Sequence, residues 1–409
     1  MTAVRFARTL LFVAALAGLA AASIFSIRLA WADAWFQTET LAGTRRALSV
    51  TPDQAAYSVR LALLISDDDP AGAVGALQRA LELNPRDALA WIELGLRYEA
   101  GGELPLAERA LRRASDESRT YLPRWTLMNY YFRRDDRERF WYWAKAAAPM
   151  IWGDPKPLFH LCGQVAEDGD LIGRLDMRKP EIQAAYLFYL LDARRADLVG
   201  PSSRRLLRSG REVDVPLLLD ATDRLLDARR TADASLIWEA LVAAHRIPGG
   251  LPRGAGGSLL DNGDFARSPS GRGFDWRLPT LPGIGAASEE QPVGLRLTFS
   301  SDQPETAEPL AQLVPVREGA RYELACHYRT SGIAPGTGLR WVVSDAGRNA
   351  PIAAGESLSS DAPAAGRLAF VTPSGCDLVR VAIEYQRRPG TTRIAGFVVL
   401  RNVEMRAAP

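Results

Sequence analysis

The residues able to perform covalent or metal chemistry are few in this sequence. His160, Cys162 and Asp168 fall within one short segment, and such groups bind metals or activate a thiol nucleophile in other proteins. One His and one Cys two residues apart do not make a ligand set. Burial in a helical core is therefore the favoured interpretation.

Carboxylate pairs are the other source of acid–base chemistry, and they stand at Asp67-Asp68-Asp69, Asp135-Asp136 and Glu289-Glu290. A glycosidase needs two carboxylates that face each other across a cleft, which a linear sequence does not show. The sequence contains no GxSxG, HExxH, phosphate-cradling or dinucleotide-binding motif. We therefore expect a non-enzymatic protein without catalytic residues, metal or cofactor; the alternative is a glycan hydrolase or lyase.

Aromatic residues offer a different chemistry, the stacking of sugar rings. Trp276, Trp341 and Tyr385 are the candidate glycan contacts. A sugar platform needs an exposed aromatic face beside polar groups that meet hydroxyls. Trp341 and Tyr385 alternate in phase with aliphatic residues, which favours inward positions for both.

Two cysteines, Cys326 and Cys376, fall in the same predicted β domain. A disulfide between them is allowed if that domain lies outside the cytoplasm. The alternative is that Cys326 is a small core residue, because it lies on the inward side of its predicted strand.

Composition indicates more than one domain. The chain has 409 residues, of which 47% are hydrophobic and 24% charged, enough for two cores. The formal net charge is only +2, which gives no indication of a nucleic-acid partner.

Residues 91–114 contain a helical hairpin pattern with a known spacing. Trp91, Leu94, Gly95 and Tyr98 share one face of a first helix, and Gly95 lets a second helix approach closely. The second-helix positions are Ala107, Leu111 and Ala114. This W-x2-L-G-x2-Y pattern resembles the tetratricopeptide repeat (TPR), with Leu111 where that repeat usually has an aromatic residue.

Partial repeats follow at steps of about 34 residues on both sides. Upstream, Ala73, Leu77 and Ala80 match the second helix; downstream, Trp125 falls on Trp91. The resemblance covers residues 54–150 and implies a stack of hairpins, because one hairpin cannot bury its apolar face alone. It also implies a groove that binds a protein partner.

An apolar run occupies residues 9–27, after Arg5 and Arg8, and is close to the length that spans a bilayer. The alternative is a signal peptide cleaved at Ala30-Trp31-Ala32. An uncleaved anchor is favoured, since the run is long for a signal core. In either case the first residues stay cytoplasmic and the bulk of the chain lies beyond the inner membrane, in the periplasm.

Helical periodicity continues to residue 247, and residues 248–257 are rich in Pro and Gly. After this linker the pattern alternates as in β-strands, for example over residues 322–328 and 379–385. We therefore predict a membrane anchor at 1–31, an α-helical repeat domain at 32–247, the linker, and an antiparallel β-sandwich at 258–409.

The sandwich begins with Asn262-Gly263-Asp264-Phe265 followed by Trp276. This pattern looks like the first strand of jelly-roll carbohydrate-binding modules, and residues 396–405 are similar to their closing strand. The whole layout resembles membrane-anchored repeat proteins of bacterial exopolysaccharide or O-antigen systems. The resemblance implies a tethered scaffold whose repeats bind an envelope protein and whose sandwich contacts polysaccharide.

Overall fold

The structure is a computed structural model that describes residues 2–166, 171–249 and 257–408. The chain forms two compact units, Met1–Arg178 and Lys179–Pro409, and each is described by itself. The predicted domain boundaries remain predictions, and most of the Pro/Gly linker (250–256) lies outside the described residues.

The first unit is helical. Its helices are α1 (Thr2–Phe36), α2 (Leu41–Val50), α3 (Ala55–Ile65), α4 (Pro70–Leu83), α5 (Ala88–Ala100), α6 (Leu104–Glu117), α7 (Tyr121–Arg133), α8 (Arg137–Ala147), α9 (Lys156–Val165) and α10 (Leu171–Arg174). Three successive hairpins, α3–α4, α5–α6 and α7–α8, pack in sequence order. The predicted stack of TPR-like hairpins is therefore present.

Side-chain caps begin several of these helices where the sequence changes from polar to apolar. Asp69, Asp87 and Asp136 accept hydrogen bonds from backbone N–H groups in the first turns of α4, α5 and α8. These caps set the residue at which each of the three helices begins, and so set how each helix aligns with its neighbours.

Helix α1 continues through the Ala30-Trp31-Ala32 site without a break. Of the described helices, only its segment Leu11–Phe36 is long and apolar enough to cross a membrane, a test that a signal sequence also passes. Large side chains along it, such as Phe12 and Leu19, are exposed.

The last turns of α1 belong to the helical unit. Ala32 is completely buried and packs with Ala47 and Tyr57. The Tyr57 hydroxyl donates to the Asp33 carboxylate at 3.2 Å, and Arg28 donates to the Val50 carbonyl at 2.6 Å. The end of α1 and the helix α2 are thus packed against the repeats.

The second unit joins four helices to a β-sandwich. The helices are α11 (Pro180–Asp192), α12 (Ala196–Leu207), α13 (Val215–Asp227) and α14 (Thr231–Ala243). The strands are β1 (Ile284–Glu290), β2 (Val293–Ser300), β3 (Thr306–Pro315), β4 (Arg321–Ser331), β5 (Leu339–Asp345), β6 (Ala350–Ser357), β7 (Ala364–Val371), β8 (Leu378–Gln386) and β9 (Ala395–Ala407).

Two antiparallel sheets form the sandwich, with strand orders β1-β2-β9-β4-β7 and β3-β8-β5-β6. Alternate residues of both sheets point inward and form one core, as period-two patterning requires. The predicted jelly-roll-like sandwich is therefore present. Two edge strands, β1 and β6, were not predicted, because they are rich in Ala, Gly and Glu and lack an apolar alternation.

The prediction of a first strand around Asn262-Gly263-Asp264-Phe265 is wrong, because this segment forms turns. Asn262 and Phe265 have φ values of 50° and 58°, in the left-handed region rather than the extended region of a regular strand. Gly263 has no room for a side chain, since a Cβ there would lie 1.9 Å from the Val403 carbonyl oxygen. The motif therefore fixes a buried turn against β9.

Helices α13 and α14 hold the opening turns of the sandwich. Arg272 bonds to the carboxylates of Asp220 and Asp223, and the Gly273 N–H donates to Asp223 at 2.7 Å. The rings of Trp238 and Phe274 meet edge to face at 5.9 Å. These contacts join helices and sandwich within one unit.

Candidate binding surfaces

The TPR-signature residues lie in the packed interior of the α5–α6 hairpin. Leu94, Ala107, Leu111 and Ala114 are at most 3% exposed. A Cβ on Gly95 would lie 2.7 Å from two carbon atoms of Leu111, so the helices approach at that point.

The two aromatic signature residues are partly buried. Trp91 donates its indole N–H to the Pro85 carbonyl at 2.9 Å, and the Tyr98 hydroxyl accepts a hydrogen bond from Gln78 at 3.1 Å. Both contacts tie α5 to the preceding repeat, so these residues hold the stack together.

Neighbouring hairpins are also joined by polar contacts one repeat apart. Arg133 bonds to both oxygens of Glu99, at 2.9 and 2.7 Å. The Tyr131 hydroxyl donates to Glu108 at 2.9 Å and accepts from Arg112 at 3.2 Å. Such bidentate and networked pairs fix the angle between hairpins.

A groove of 430 Å³ lies between α6 and α8, and we call it the aromatic groove. Its lining residues are Arg112, Asp116, Glu138, Arg139, Tyr142 and Trp143. The Tyr142 side chain is 68% exposed, and its ring meets Trp143 edge to face at 5.1 Å. Arg139 is held over the Tyr131 ring at 5.6 Å.

The aromatic groove is formed by α6 and α8, the second helices of their hairpins. It was not predicted from the sequence. A signal was present: Phe140-Trp141-Tyr142-Trp143 places four aromatics consecutively on one helix. Successive helical residues point about 100° apart, so one face cannot bury all four. Phe140 faces the core and Tyr142 faces solvent.

The three predicted glycan contacts lie in the sandwich core, which corrects that assignment. Trp276, Trp341 and Tyr385 are 0%, 4% and 1% exposed, so no ring face is open to a sugar. Trp276 donates its indole N–H to the Asn262 carbonyl at 3.0 Å, and its ring lies 6.2 Å from that of Trp341. The favoured inward interpretation of Trp341 and Tyr385 agrees with this burial.

The Cys326–Cys376 disulfide that the sequence allows is not formed, and both residues are buried free thiols. The Trp341 indole N–H donates to the Cys326 sulfur at 3.2 Å. Burial raises the pKa of Cys326, and it raises the pKa of Cys376 to about 11. Both cysteines are small core residues.

The His160–Cys162 pair is not brought together as a site. Cys162 is completely buried, and burial raises its pKa to about 12, whereas His160 is exposed and contacts Gln164. Asp168 lies outside the described residues. Across residues 2–166, 171–249 and 257–408, no group of three or more acidic, His or Cys side chains is arranged to hold a metal ion.

A second cavity, of 710 Å³, lies in the second unit where the α13–α14 turn meets loops of the sandwich. We call it the Asp227 cleft. Its charged lining residues are Asp227, Arg229, Asp345, Arg348, Asp377 and Arg380. Asp345 accepts from the Gly347 and Arg348 backbone N–H groups, at 2.8 and 2.9 Å, and so holds the β5–β6 turn.

These residues come from three separate parts of the chain, so no linear motif announces the Asp227 cleft. The alternating acids and guanidinium groups can offer paired hydrogen bonds to hydroxyls. The predicted carboxylate pairs do not line it; Glu289, for example, pairs with Arg296 and Arg401 on a sheet.

Comparison with protein-family profiles and with curated proteins finds no match. Solved structures similar to this chain include one described as CBM4 structure and function, with 11% identity and a TM-score of 0.29, covering 36% of this chain and 99% of that one. Another is YrrB, a TPR protein with an unusual peptide-binding site, with 12% identity and a TM-score of 0.26, covering 50% and 93%. A third is PilF of Pseudomonas aeruginosa, with 15% identity and a TM-score of 0.23, covering 46% and 76%. These values are too low to transfer an activity or partner.

Proposed function

We propose that this chain is a non-enzymatic scaffold tethered to the bacterial inner membrane, with its N-terminus cytoplasmic and its bulk periplasmic. The helical unit binds an envelope protein, and the second unit contacts glycan, in exopolysaccharide or O-antigen assembly or export. The observation that carries the proposal is the aromatic groove, an open surface of Tyr142, Trp143 and two arginines on a stack of hairpins.

The chemistry of the aromatic groove suits a protein partner. Tyr, Trp and Arg are the residue types that dominate binding energy at protein interfaces. Two guanidinium groups and two carboxylates surround the rings, which gives a charged rim around an aromatic centre. A partner segment with an apolar anchor and flanking charges of both signs would be complementary to it.

The tether is supported by the continuity of α1. Its exposed apolar part runs without a break into the turns that pack on Ala47 and Tyr57. The membrane segment is therefore joined to the hairpins by a helix. Arg5 and Arg8 before the apolar run favour a cytoplasmic N-terminus.

The test is affinity purification of the full-length chain from solubilised native membranes, followed by identification of co-purified proteins. We expect one dominant envelope protein, lost in the double variant Tyr142→Ala/Trp143→Ala. The matched control is Trp152→Ala, which removes an aromatic that is 87% exposed and outside the groove lining. Equal recovery with both variants would contradict the assignment of the groove.

A glycan hydrolase or lyase is the second candidate, favoured by one observation: three carboxylates, Asp227, Asp345 and Asp377, line the same cleft. Asp345 already holds a turn, which leaves Asp227 and Asp377 as the candidates for the acid and the base. This function predicts new reducing ends on incubation with polysaccharide, abolished by Asp227→Asn/Asp377→Asn. The scaffold proposal predicts none.

A further inference from the structure

The outer face of the sheet β1-β2-β9-β4-β7 carries arginines in register on neighbouring strands. Arg296 of β2 lies opposite Val399 of β9, and Val399 lies opposite Arg329 of β4. Arg401, two residues after Val399, is on the same face. We call Arg296, Arg329 and Arg401, with Glu289 and Phe397 between them, the arginine face.

The arginine face has too few carboxylates for its cations. Glu289 accepts from Arg296 at 2.8 Å and from Arg401 at 3.1 Å, so one acid serves two guanidinium groups. Burial would raise the pKa of Glu289, but these hydrogen bonds outweigh it and the pKa lies below its usual value. Within the described residues Arg329 has no ion pair, which leaves an excess of positive charge.

The guanidinium groups are also incompletely hydrogen-bonded. The Nε atoms of Arg329 and Arg401 are buried and have no hydrogen-bond partner in the described part of the chain. Arg296 and Arg329 lie over the Phe397 ring, at 4.2 and 5.8 Å from its centre. Their stems cover Val399, which is 1% exposed. Packing therefore holds Arg329 in place, whereas Arg296 and Arg401 are held by packing and by Glu289.

The layout fits a particular ligand chemistry. A guanidinium group is a planar fork that matches a carboxylate through two hydrogen bonds. The backbones of Arg296 and Arg329 are two strand spacings apart, about 10 Å. Their guanidinium groups converge on the Phe397 ring between them. Small anions are bound in concave pockets, whereas an extended polymer with repeated carboxylates can lie along such a face. Hydroxyls of Thr298 and Ser331, which pair with Phe397 in the sheet register, can meet its sugar hydroxyls.

We propose that the arginine face binds an acidic polysaccharide through the carboxylates of its sugars. This inference rests on the proposed glycan contact of the second unit, and it names the surface and the ligand class. The face is distinct from the Asp227 cleft, whose charges are balanced between Asp and Arg.

The test is binding of polygalacturonate to the full-length chain in an uncharged detergent, with fully methyl-esterified polygalacturonate as the neutral counterpart. We expect binding to the acidic polymer only. The triple variant Arg296→Gln/Arg329→Gln/Arg401→Gln should bind at least about tenfold more weakly, as expected for the loss of charge-assisted hydrogen bonds. The triple variant Arg340→Gln/Arg387→Gln/Arg388→Gln removes equal charge elsewhere and should retain binding.

The single variant Arg329→Gln keeps the inference testable if the triple variant does not fold, because Arg329 has no ion pair to break. Arg329→Lys keeps the charge but loses the fork, and should also weaken binding. Equal affinity for the esterified polymer, or no difference between the two triple variants, would overturn the inference. So would face-dependent binding to phosphatidylglycerol vesicles without polygalacturonate binding, since the face would then contact lipid. Affinity purification of the envelope protein with the same variants tests the scaffold function independently of polysaccharide binding.

Discussion

At the scale of single residues, Gly95 is a position of the α5–α6 hairpin where a side chain has no room. A Cβ there would meet Leu111 at 2.7 Å and the Ala107 carbonyl oxygen at 3.3 Å. Gly75, in the preceding α4 helix, has no atom within 4 Å of the same position. Substitution by alanine raises helix propensity at both positions, but it creates a close contact only at Gly95. Comparing the two variants therefore separates the effect of helix propensity from the effect of packing.

We predict that Gly95→Ala destabilises the helical unit by about 1–2 kcal/mol, since overpacking exceeds the helix-propensity gain of alanine. Gly75→Ala should stabilise it by about 0.5–1 kcal/mol. Urea unfolding followed by circular dichroism checks both. Equal midpoints for the two variants would mean that the close approach at Gly95 is absent.

The buried aromatics of the sandwich allow a second comparison. Trp276 is completely buried and donates to the Asn262 carbonyl, whereas the buried Tyr385 hydroxyl has no hydrogen-bond partner in the described residues. Trp276→Phe should cost about 2–4 kcal/mol, through a void and an unpaired carbonyl. Tyr385→Phe should be neutral or stabilising, because it removes an unpaired polar atom. A similar loss for both in urea unfolding would contradict this difference.

The cysteines give a prediction about reactivity. The raised pKa values, about 12 for Cys162 and about 11 for Cys376, keep both thiols protonated at pH 8, and the thiolate is the reactive form. We expect iodoacetamide to modify no cysteine of the folded chain at pH 8 and all three after denaturation. Mass spectrometry of non-reduced peptides checks this, and a linked Cys326–Cys376 peptide would contradict it.

At the scale of elements, the sequence predicts helices and strands well where one face is buried. The α5–α6 hairpin was predicted because Trp91, Leu94, Gly95 and Tyr98 report packing directly through their sizes and spacing. Strand β4 was predicted because Tyr322, Leu324 and Cys326 all point into the core.

The failures have physical causes. Edge strands β1 and β6 bury little, so they carry no alternation. The Asn262–Phe265 strand was predicted from a resemblance and not from an alternation. The left-handed conformation of Asn262 and Phe265 makes the segment a turn that packs against β9. The aromatic groove and the arginine face were not predicted for a related reason. A periodic pattern shows which residues are buried, but it does not show which exposed residues bind a ligand.

At the scale of elements, we predict whether helix α1 stays in the mature chain. Cleavage after Ala32 would remove a residue that is completely buried and the Arg28 bond to Val50. We therefore expect the mature chain in native membranes to keep α1, with an intact mass that includes residues 9–27. A mature chain that begins at Asp33 would show that α1 is a signal sequence.

At the scale of the whole molecule, each unit presents a surface of different chemistry. The helical unit presents aromatic rings with charges of both signs, and the second unit presents a cleft and an arginine-rich sheet face. Helices α13 and α14 support the sandwich through Arg272 and Trp238, so the second unit is more than an isolated sheet module. The proposed function assigns a protein partner to the surface of the helical unit and a polymer to a surface of the second unit.

The most direct test of that claim is photo-crosslinking of the full-length chain in native membranes, with the photoreactive residue at position 142 in one sample and at position 236 in another. Tyr142 lines the aromatic groove, whereas Leu236 is 50% exposed on α14. The scaffold account predicts one dominant adduct with an envelope protein from position 142 and none of that adduct from position 236. No adduct at position 142, or the same adducts at both positions, would contradict it.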